Sequence, residues 1–187
     1  YRDNLLDTGR AVEIYEEALA ASPNYLGAAV PLSELYVREE RWESAAPLLH
    51  MLTERVEQEE DPAKQAELLF LIGRSKENLH EFDAALEAYE QSLSRRPGDA
   101  ETLWALARLT MQRQKYDDAE RYYNSVLGLL GDECSTEENI EIQMALGEIA
   151  LATGRDEEAL GYLEEAVALQ PNNPEAQKNL SMAELFA

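Results

Sequence analysis

Apolar and small positions along this chain fall into a pattern that repeats. Leu32-Ser33, Ile72-Gly73, Leu106-Ala107, Leu146-Gly147 and Leu180-Ser181 each pair a large aliphatic residue with a small one. Thirteen residues after the first four aliphatics stand Ala45, Ala85, Ala119 and Ala159, and four residues later Leu49, Tyr89, Tyr123 and Leu163. Ala11 and Tyr15 repeat the last spacing without the first half. The steps from unit to unit run 40, 34, 40 and 34 residues, while Pro23, Pro97 and Pro171 recur 74 residues apart. Self-similarity at such a period marks a repeat architecture, in which each unit buries its apolar face against its neighbours. Each unit predicts two amphipathic helices joined by a tight turn, and the 34/40 alternation suggests duplication of a two-repeat block.

Punctuation agrees with that division. Asp61-Pro62, Asp99-Ala100-Glu101 and Asn173-Pro174-Glu175 put a capping side chain before a helix, and Ser135-Thr136-Glu137-Glu138 reads as a capping box. Turns are expected at 39–41, 79–81, 113–115 and 153–155, and helix ends at 95–98 and 169–171. An Ala or Gly on one helix facing a Leu or Tyr on the other lets the pair approach closely. Composition supports helices throughout: Ala, Leu and Glu number 26, 28 and 29, against 17 for Val, Ile and Thr together.

The pattern resembles the tetratricopeptide repeat, a 34-residue helix–turn–helix with a Leu-Gly pair, an Ala-x-x-x-aromatic and a closing Pro. Ile72-Gly73, Phe82, Ala85, Tyr89 and Pro97 carry the resemblance best, followed by Leu146-Gly147, Gly154, Ala159, Ala166 and Pro171. The expected fold is therefore all-α, a right-handed α/α superhelix (solenoid) of stacked repeats. One domain over 1–187 is expected, with repeats at 1–25 (partial), 26–61, 62–99, 100–134, 135–173 and a half-repeat at 174–187. The sequence departs from the family pattern in places. No Gly follows the aliphatic in the units starting near 26 and 100, and Lys76 and Glu184 fill slots that favour aromatics. The two 40-residue steps insert six residues around 57–61 and 131–137, expected to lengthen the flanking helices. Residues 1–6 are too short for a full first helix, so the chain reads as a segment of a longer array or one lacking a cap.

Charge narrows the partners. A formal net charge of −22 repels nucleic-acid phosphates and anionic membrane surfaces alike. No apolar run reaches the length of a membrane span. The lone Cys134 excludes an internal disulfide framework, and its neighbours Asp132 and Glu133 should raise its thiol pKa. His50 and His80 lie without metal-ligand spacing, the acidic run 57–61 reads as a solvated helix end, and Asn179-Leu180-Ser181 falls mid-helix. No nucleophile elbow, phosphate loop or Ca²⁺ loop is present. The expectation is a protein without catalytic residues, cofactor or metal, cytoplasmic in location.

The resemblance implies that first helices line a concave groove able to hold a peptide or partner helix, with the positions two before and two after the Leu-Gly aliphatic facing it. Those positions give Val30 and Glu34, Phe70 and Arg74, Trp104 and Arg108, Met144 and Glu148, and Lys178 and Met182, with Asn78 and Gln112 one turn further. Phe70, Arg74, Asn78, Trp104, Arg108, Gln112, Met144 and Lys178 are the candidate ligand-binding residues. Arg and Trp are enriched at binding hot spots, and two Arg with two aromatics would suit an apolar anchor beside a carboxylate. The opposing expectation is local packing: Phe70 and Trp104 tucked between adjacent repeats as core, Arg74 paired with Asn78, Glu67 or Glu101. The clamp of Lys and Asn that some relatives use for acidic C-terminal peptides is not supported, because Val30, Phe70 and Trp104 occupy its slots. The function expected is a scaffold for protein–protein interaction. Two rivals are a regulatory or substrate-recruiting domain cut from a larger enzyme or signalling protein, and a chaperone for secreted substrates. The last helix presents Ala176, Leu180, Ala183 and Ala187 in a stripe beside Leu185 and Phe186, from which weak end-to-end self-association is expected.

Overall fold

In a computed structural model describing residues 2–57, 59–131 and 134–185 (side chains of 2–7 and 26 excepted), ten helices and no strands occur among the described residues. They are α1 (Arg2–Ala21), α2 (Leu26–Arg38), α3 (Trp42–Val56), α4 (Pro62–Asn78), α5 (Phe82–Arg95), α6 (Ala100–Gln112), α7 (Tyr116–Leu130), α8 (Thr136–Ala152), α9 (Asp156–Leu169) and α10 (Pro174–Ala183). Residues 2–6 are taken into α1 rather than forming an element of their own.

Local chemistry fixes where each helix starts. Asp61 accepts from the Ala63 N–H at 2.9 Å, Asp99 from the Thr102 N–H at 3.0 Å, and Asn173 from the Glu175 and Ala176 N–H groups at 3.0 and 3.1 Å. The capping box is complete: Ser135 Oγ accepts from the Glu138 N–H at 3.3 Å, and Glu138 accepts from the Ser135 N–H at 2.9 Å. These bonds satisfy amide donors that a helix start otherwise leaves open. The two hydrogen bonds from Ser135, one from its side chain and one from its backbone, hold the Glu138 carboxyl below its ordinary pKa.

Four turns are built alike. Glu40, His80, Gln114 and Gly154 adopt left-handed backbones, with φ of 58°, 62°, 57° and 73°. The following N–H groups of Arg41, Glu81, Lys115 and Arg155 donate to carbonyls five residues back at 2.8–2.9 Å, the Schellman arrangement. Only one of the four carries the glycine that suits this backbone. The two six-residue insertions appear as extra turns: α4 and α8 have 17 residues, where α2 and α6 have 13.

The chain divides into two compact units, 1–97 and 98–187. In the first, α1 to α5 pack in sequence order and α2 also meets α4. Its core gathers Leu32, Tyr36, Leu49, Leu52, Leu69 and Ile72. In the second, α6 to α10 pack in order and α8 also meets α10, around Leu106, Val126, Ile142, Leu146, Ile149 and Leu163. Gly73 is required where it stands: a Cβ there would lie 2.6 Å from the Tyr89 ring, and one on Gly147 2.7 Å from Leu163. In the second unit Arg155 donates to both Glu120 carboxylate oxygens at 2.8 Å and to Glu158 at 3.0 Å, tying the α8–α9 turn to α7.

The terminal stripe differs from expectation. Ala176 and Ala183 are fully buried, and Ala183 and Leu180 pack with Ala159 and Leu163 of α9 and Ala150 of α8, so this face is covered within the unit. What α10 leaves outside is Met182 and Leu185, the latter 81% exposed. Phe186 and Ala187 lie outside the described residues.

Candidate binding site

The candidate residues fall on successive turns of first helices and divide between the units. In the first, Phe70, Arg74 and Asn78 follow one another along α4. Phe70 is half-buried, its ring 5.5 Å from that of Tyr89 at 44°. Arg74 is half-buried and makes no ion pair among the described residues, so the expected pairing with Glu67, Glu101 or the Asn78 side chain is not found. Asn78 instead donates to the Arg74 backbone carbonyl at 2.7 Å, closing the helix end.

In the second unit, Trp104, Arg108 and Gln112 run along α6, with Met144 on α8 and Lys178 on α10. Trp104 is half-buried and meets Tyr123 edge to face at 5.9 Å and 86°. Arg108, Gln112 and Lys178 are exposed. Both aromatic candidates thus back onto a tyrosine of their own hairpin while keeping part of their surface open.

Met144 lines a cavity of about 390 Å³ in the second unit. Met111, Ile140 and Met144 give it an apolar floor, and Glu137, Glu141, Glu148 and Glu175 line it as well. None of those four carboxylates pairs with a cation among the described residues; Glu148 accepts instead from Asn179 Nδ2 at 2.9 Å. Tyr123 also lines the cavity, is only 3% exposed, and makes no hydrogen bond through its hydroxyl among the described residues. Burial pushes that hydroxyl up to about 12; Glu141 and Glu148 add to the shift and Arg108 opposes it. Tyr123 and Glu141 were not among the candidates. Their signal was the 34-residue offset itself, which sets Met111 where the preceding hairpin has Glu77.

A second cavity, about 550 Å³ in the first unit, has Leu49 and Ile72 in its wall. Among its polar groups Lys76 pairs with Glu81 at 3.1 Å, Thr53 donates to the Leu49 carbonyl at 2.8 Å, and His50 lies 4.0 Å from Glu54. Among the described residues no three His, Cys, Asp or Glu side chains come together as a metal site, and no helix is long and apolar enough to cross a membrane. The Cys134 thiol is raised, chiefly by burial and then by Glu138. Asp132 and Glu133, to which the sequence attributed that shift, lie outside the described residues.

Helical hairpins with a small residue facing Leu or Tyr, closed by repeated left-handed turns, define a class of helical-repeat protein. A family model described as tetratricopeptide repeat matches residues 70–136 and 111–174, and a second with the same description matches 7–68. The chain belongs to the tetratricopeptide repeat family. No curated protein matches the sequence. Among solved structures it is similar to YrrB, "a TPR protein with an unusual peptide-binding site", at TM-score 0.75 and 18% identity over 94% of this chain and 84% of that one. MamA is similar at TM-score 0.72 and 18% identity, over 91% and 92% of the two chains. BtubC (BKLC) from P. vanneervenii follows at 0.70 and 19%, over 99% and 83%. These likenesses show the fold, an all-α solenoid of stacked hairpins.

Proposed function

We propose that the protein is a non-catalytic scaffold that binds a peptide or partner segment along the inner faces of its first helices. Phe70, Arg74 and Asn78 would contribute in the first unit, and Trp104, Arg108, Gln112, Met144 and Lys178 in the second. One observation carries this reading: all eight side chains are exposed or half-buried, whereas the intervening positions Ile72, Leu106 and Leu146 on the same helices are core. Surface aromatics and arginines set in that register supply area and directional bonding together, as binding hot spots do. Family membership supports the scaffold role, and a similar structure described by its peptide-binding site supports the choice of ligand.

Peptides selected from a displayed random library on the intact chain provide the test. Their affinity should fall by about 1–3 kcal/mol for Arg74→Ala or Arg108→Ala while the helical melt stays unchanged. Affinity unchanged by both substitutions would make these residues structural. Weak, concentration-dependent self-association belongs to the same reading, supported by the exposure of Leu185 and Met182 beside the buried face of α10. A strictly monomeric mass in light scattering at high concentration counts against it.

A further inference from the structure

The two hairpins that share the 34-residue offset solve the same problem differently. In α4–α5 the buried Tyr89 donates its hydroxyl to Glu77 at 2.7 Å. In α6–α7 the equivalent tyrosine is Tyr123, and the equivalent of Glu77 is Met111, whose thioether sulfur is only a weak acceptor. Tyr123 is almost wholly buried, yet its hydroxyl finds no hydrogen-bond partner among the described residues, and it is not sealed in: the only enclosed unpartnered side-chain atom among them is Gln143 Oε1. The tyrosine lines an open cavity. An unmet hydroxyl at the back of an open cavity is a group that a ligand would satisfy.

What kind of ligand follows from the rest of the wall. Glu137, Glu141, Glu148 and Glu175 bring four carboxylates without a single compensating cation within the cavity lining. Elsewhere in the same unit carboxylates do find cations, as Glu120 does with Arg155 and Asp118 with Arg121. Asn179, itself nearly buried, holds Glu148 from the α10 side at 2.9 Å, so this carboxylate is fixed in place. Met111, Ile140 and Met144 supply the apolar surface between the acids. An apolar stem ending in a positive charge matches such a wall, since Lys and Arg lay their methylenes on apolar surface and keep the charged head among polar groups.

Resting on the peptide-binding reading above, we infer that the α8 cavity of the second unit receives a single lysine or arginine side chain from an extended partner peptide. Its stem lies on Met111, Ile140 and Met144. Its N–H groups donate to Glu141 and Glu148, and the Tyr123 hydroxyl closes the pocket, accepting from the cation or donating to a peptide carbonyl. Arg108, whose charge reaches Tyr123, keeps a second basic residue away from the α6 side. The specificity expected here is thus for a peptide with one basic residue flanked by apolar ones, the opposite sign from what the arginines alone suggested.

Three capped heptapeptides, alike except for a central lysine, norleucine or glutamate, test this on the intact chain. The readout is the methyl resonances of isotope-labelled methionine, with Met111 and Met144 in the cavity and Met51 and Met182 as references. The lysine peptide should shift Met111 and Met144 and bind at least about tenfold more tightly than the norleucine peptide, the weight of one hydrogen bond to a charged group. Glu141→Gln, Glu148→Gln and Tyr123→Phe, all near-isosteric, should each weaken the lysine peptide several-fold with little change for norleucine. Equal binding of lysine and norleucine peptides at Met144 overturns the basic-residue inference but leaves a peptide groove standing. Preference for the glutamate peptide, lost in Arg108→Ala, also overturns it and favours the arginine-centred site. If no peptide moves Met111 or Met144, the cavity is not a subsite.

Discussion

The hairpins α4–α5 and α6–α7 share one backbone plan at a 34-residue offset and hold together by different means. The first is stitched by polar side chains: Tyr89 to Glu77, Ser92 to the Ala66 carbonyl at 2.7 Å, and Arg95 to Gln65 at 2.8 Å. At the same three positions the second has Tyr123, Val126 and Leu129. Val126 is fully buried, Leu129 is 46% exposed, and the Tyr123 hydroxyl has no hydrogen-bond partner among the described residues. A buried valine replaces one of the hydrogen bonds, an exposed leucine stands in place of the second, and the third site is left open. The repeat tolerates both solutions because both hairpins keep the Schellman turn and a small buried residue, Gly73 in one and Ala107 in the other. Side-chain identity at the remaining positions is therefore available to function, and the difference between the hairpins marks where it has been used.

The comparison breaks most severely if the first hairpin is given the second one's open site. Glu77→Met removes the carboxylate that accepts from the buried Tyr89 hydroxyl at 2.7 Å. A loss of about 1–3 kcal/mol in urea unfolding is expected, the weight of a hydrogen bond to a charged group. Next comes the small-residue slot, Gly73 in one hairpin and Ala107 in the other. Gly73→Ala drives a methyl to within 2.6 Å of the Tyr89 ring. Overpacking of this sort typically costs about 1–3 kcal/mol, of which the better helix propensity of Ala returns up to about 1. A variant as stable as the parent would show that the Tyr89 ring moves aside freely.

How much of this was legible in the sequence depends on how local the cause is. The helix starts at Asp61, Asp99, Ser135 and Asn173 were readable because a cap and its amide lie two or three residues apart. The turns were readable from spacing even though Glu40, His80 and Gln114 stand where glycine would be easier. The first-helix register, and with it Phe70, Arg74, Trp104, Arg108 and Met144, followed from the position of the aliphatic–small pair. The acidic cavity was not readable in this way. It arises from an acceptor missing at Met111 and cations missing beside Glu141, and a missing partner shows only once the corresponding bond in the other hairpin is known. The α10 stripe shows the same limit: spacing puts Ala176, Leu180 and Ala183 on one face, but does not show how far that face is covered, which the burial of Ala176 and Ala183 and the packing of Leu180 with Leu163 decide.

A smaller effect sharpens the comparison at the turns. The left-handed position is His80 in one hairpin and Gln114 in the other. Replacing Gln114 with Gly should stabilise the chain by about 0.5–1 kcal/mol, the backbone strain relieved less the entropy glycine adds to the unfolded state. His80→Gly should gain less, because the imidazole packs edge-on against Phe82 at 5.6 Å and that contact would be lost. Equal gains at both turns would mean that the ring contact contributes nothing.

At neutral pH the smallest effect is expected at the open site itself. Tyr89→Phe removes a made hydrogen bond and leaves Glu77 without its donor, for a loss of about 1 kcal/mol. Tyr123→Phe removes a hydroxyl that bonds to nothing among the described residues, so stability should hold within about 0.5 kcal/mol. Alkali separates the two forms of this hairpin further. The Tyr123 hydroxyl titrates at about 12 in the folded chain, mainly because of burial, against an ordinary value of 10.0. Between those values the unfolded chain has given up the proton and the folded chain retains it, so folding stability falls as pH rises, by about 1.4 kcal/mol per unit. Below pH 10.0 the group is neutral in both states and contributes no pH dependence. Tyr123→Phe should therefore match the parent at neutral pH and unfold less readily than it near pH 12, with part of the high-pH ultraviolet absorbance step of tyrosinate removed. A variant that loses stability equally with the parent as pH rises would show that burial does not raise the Tyr123 hydroxyl above its ordinary value in the folded protein.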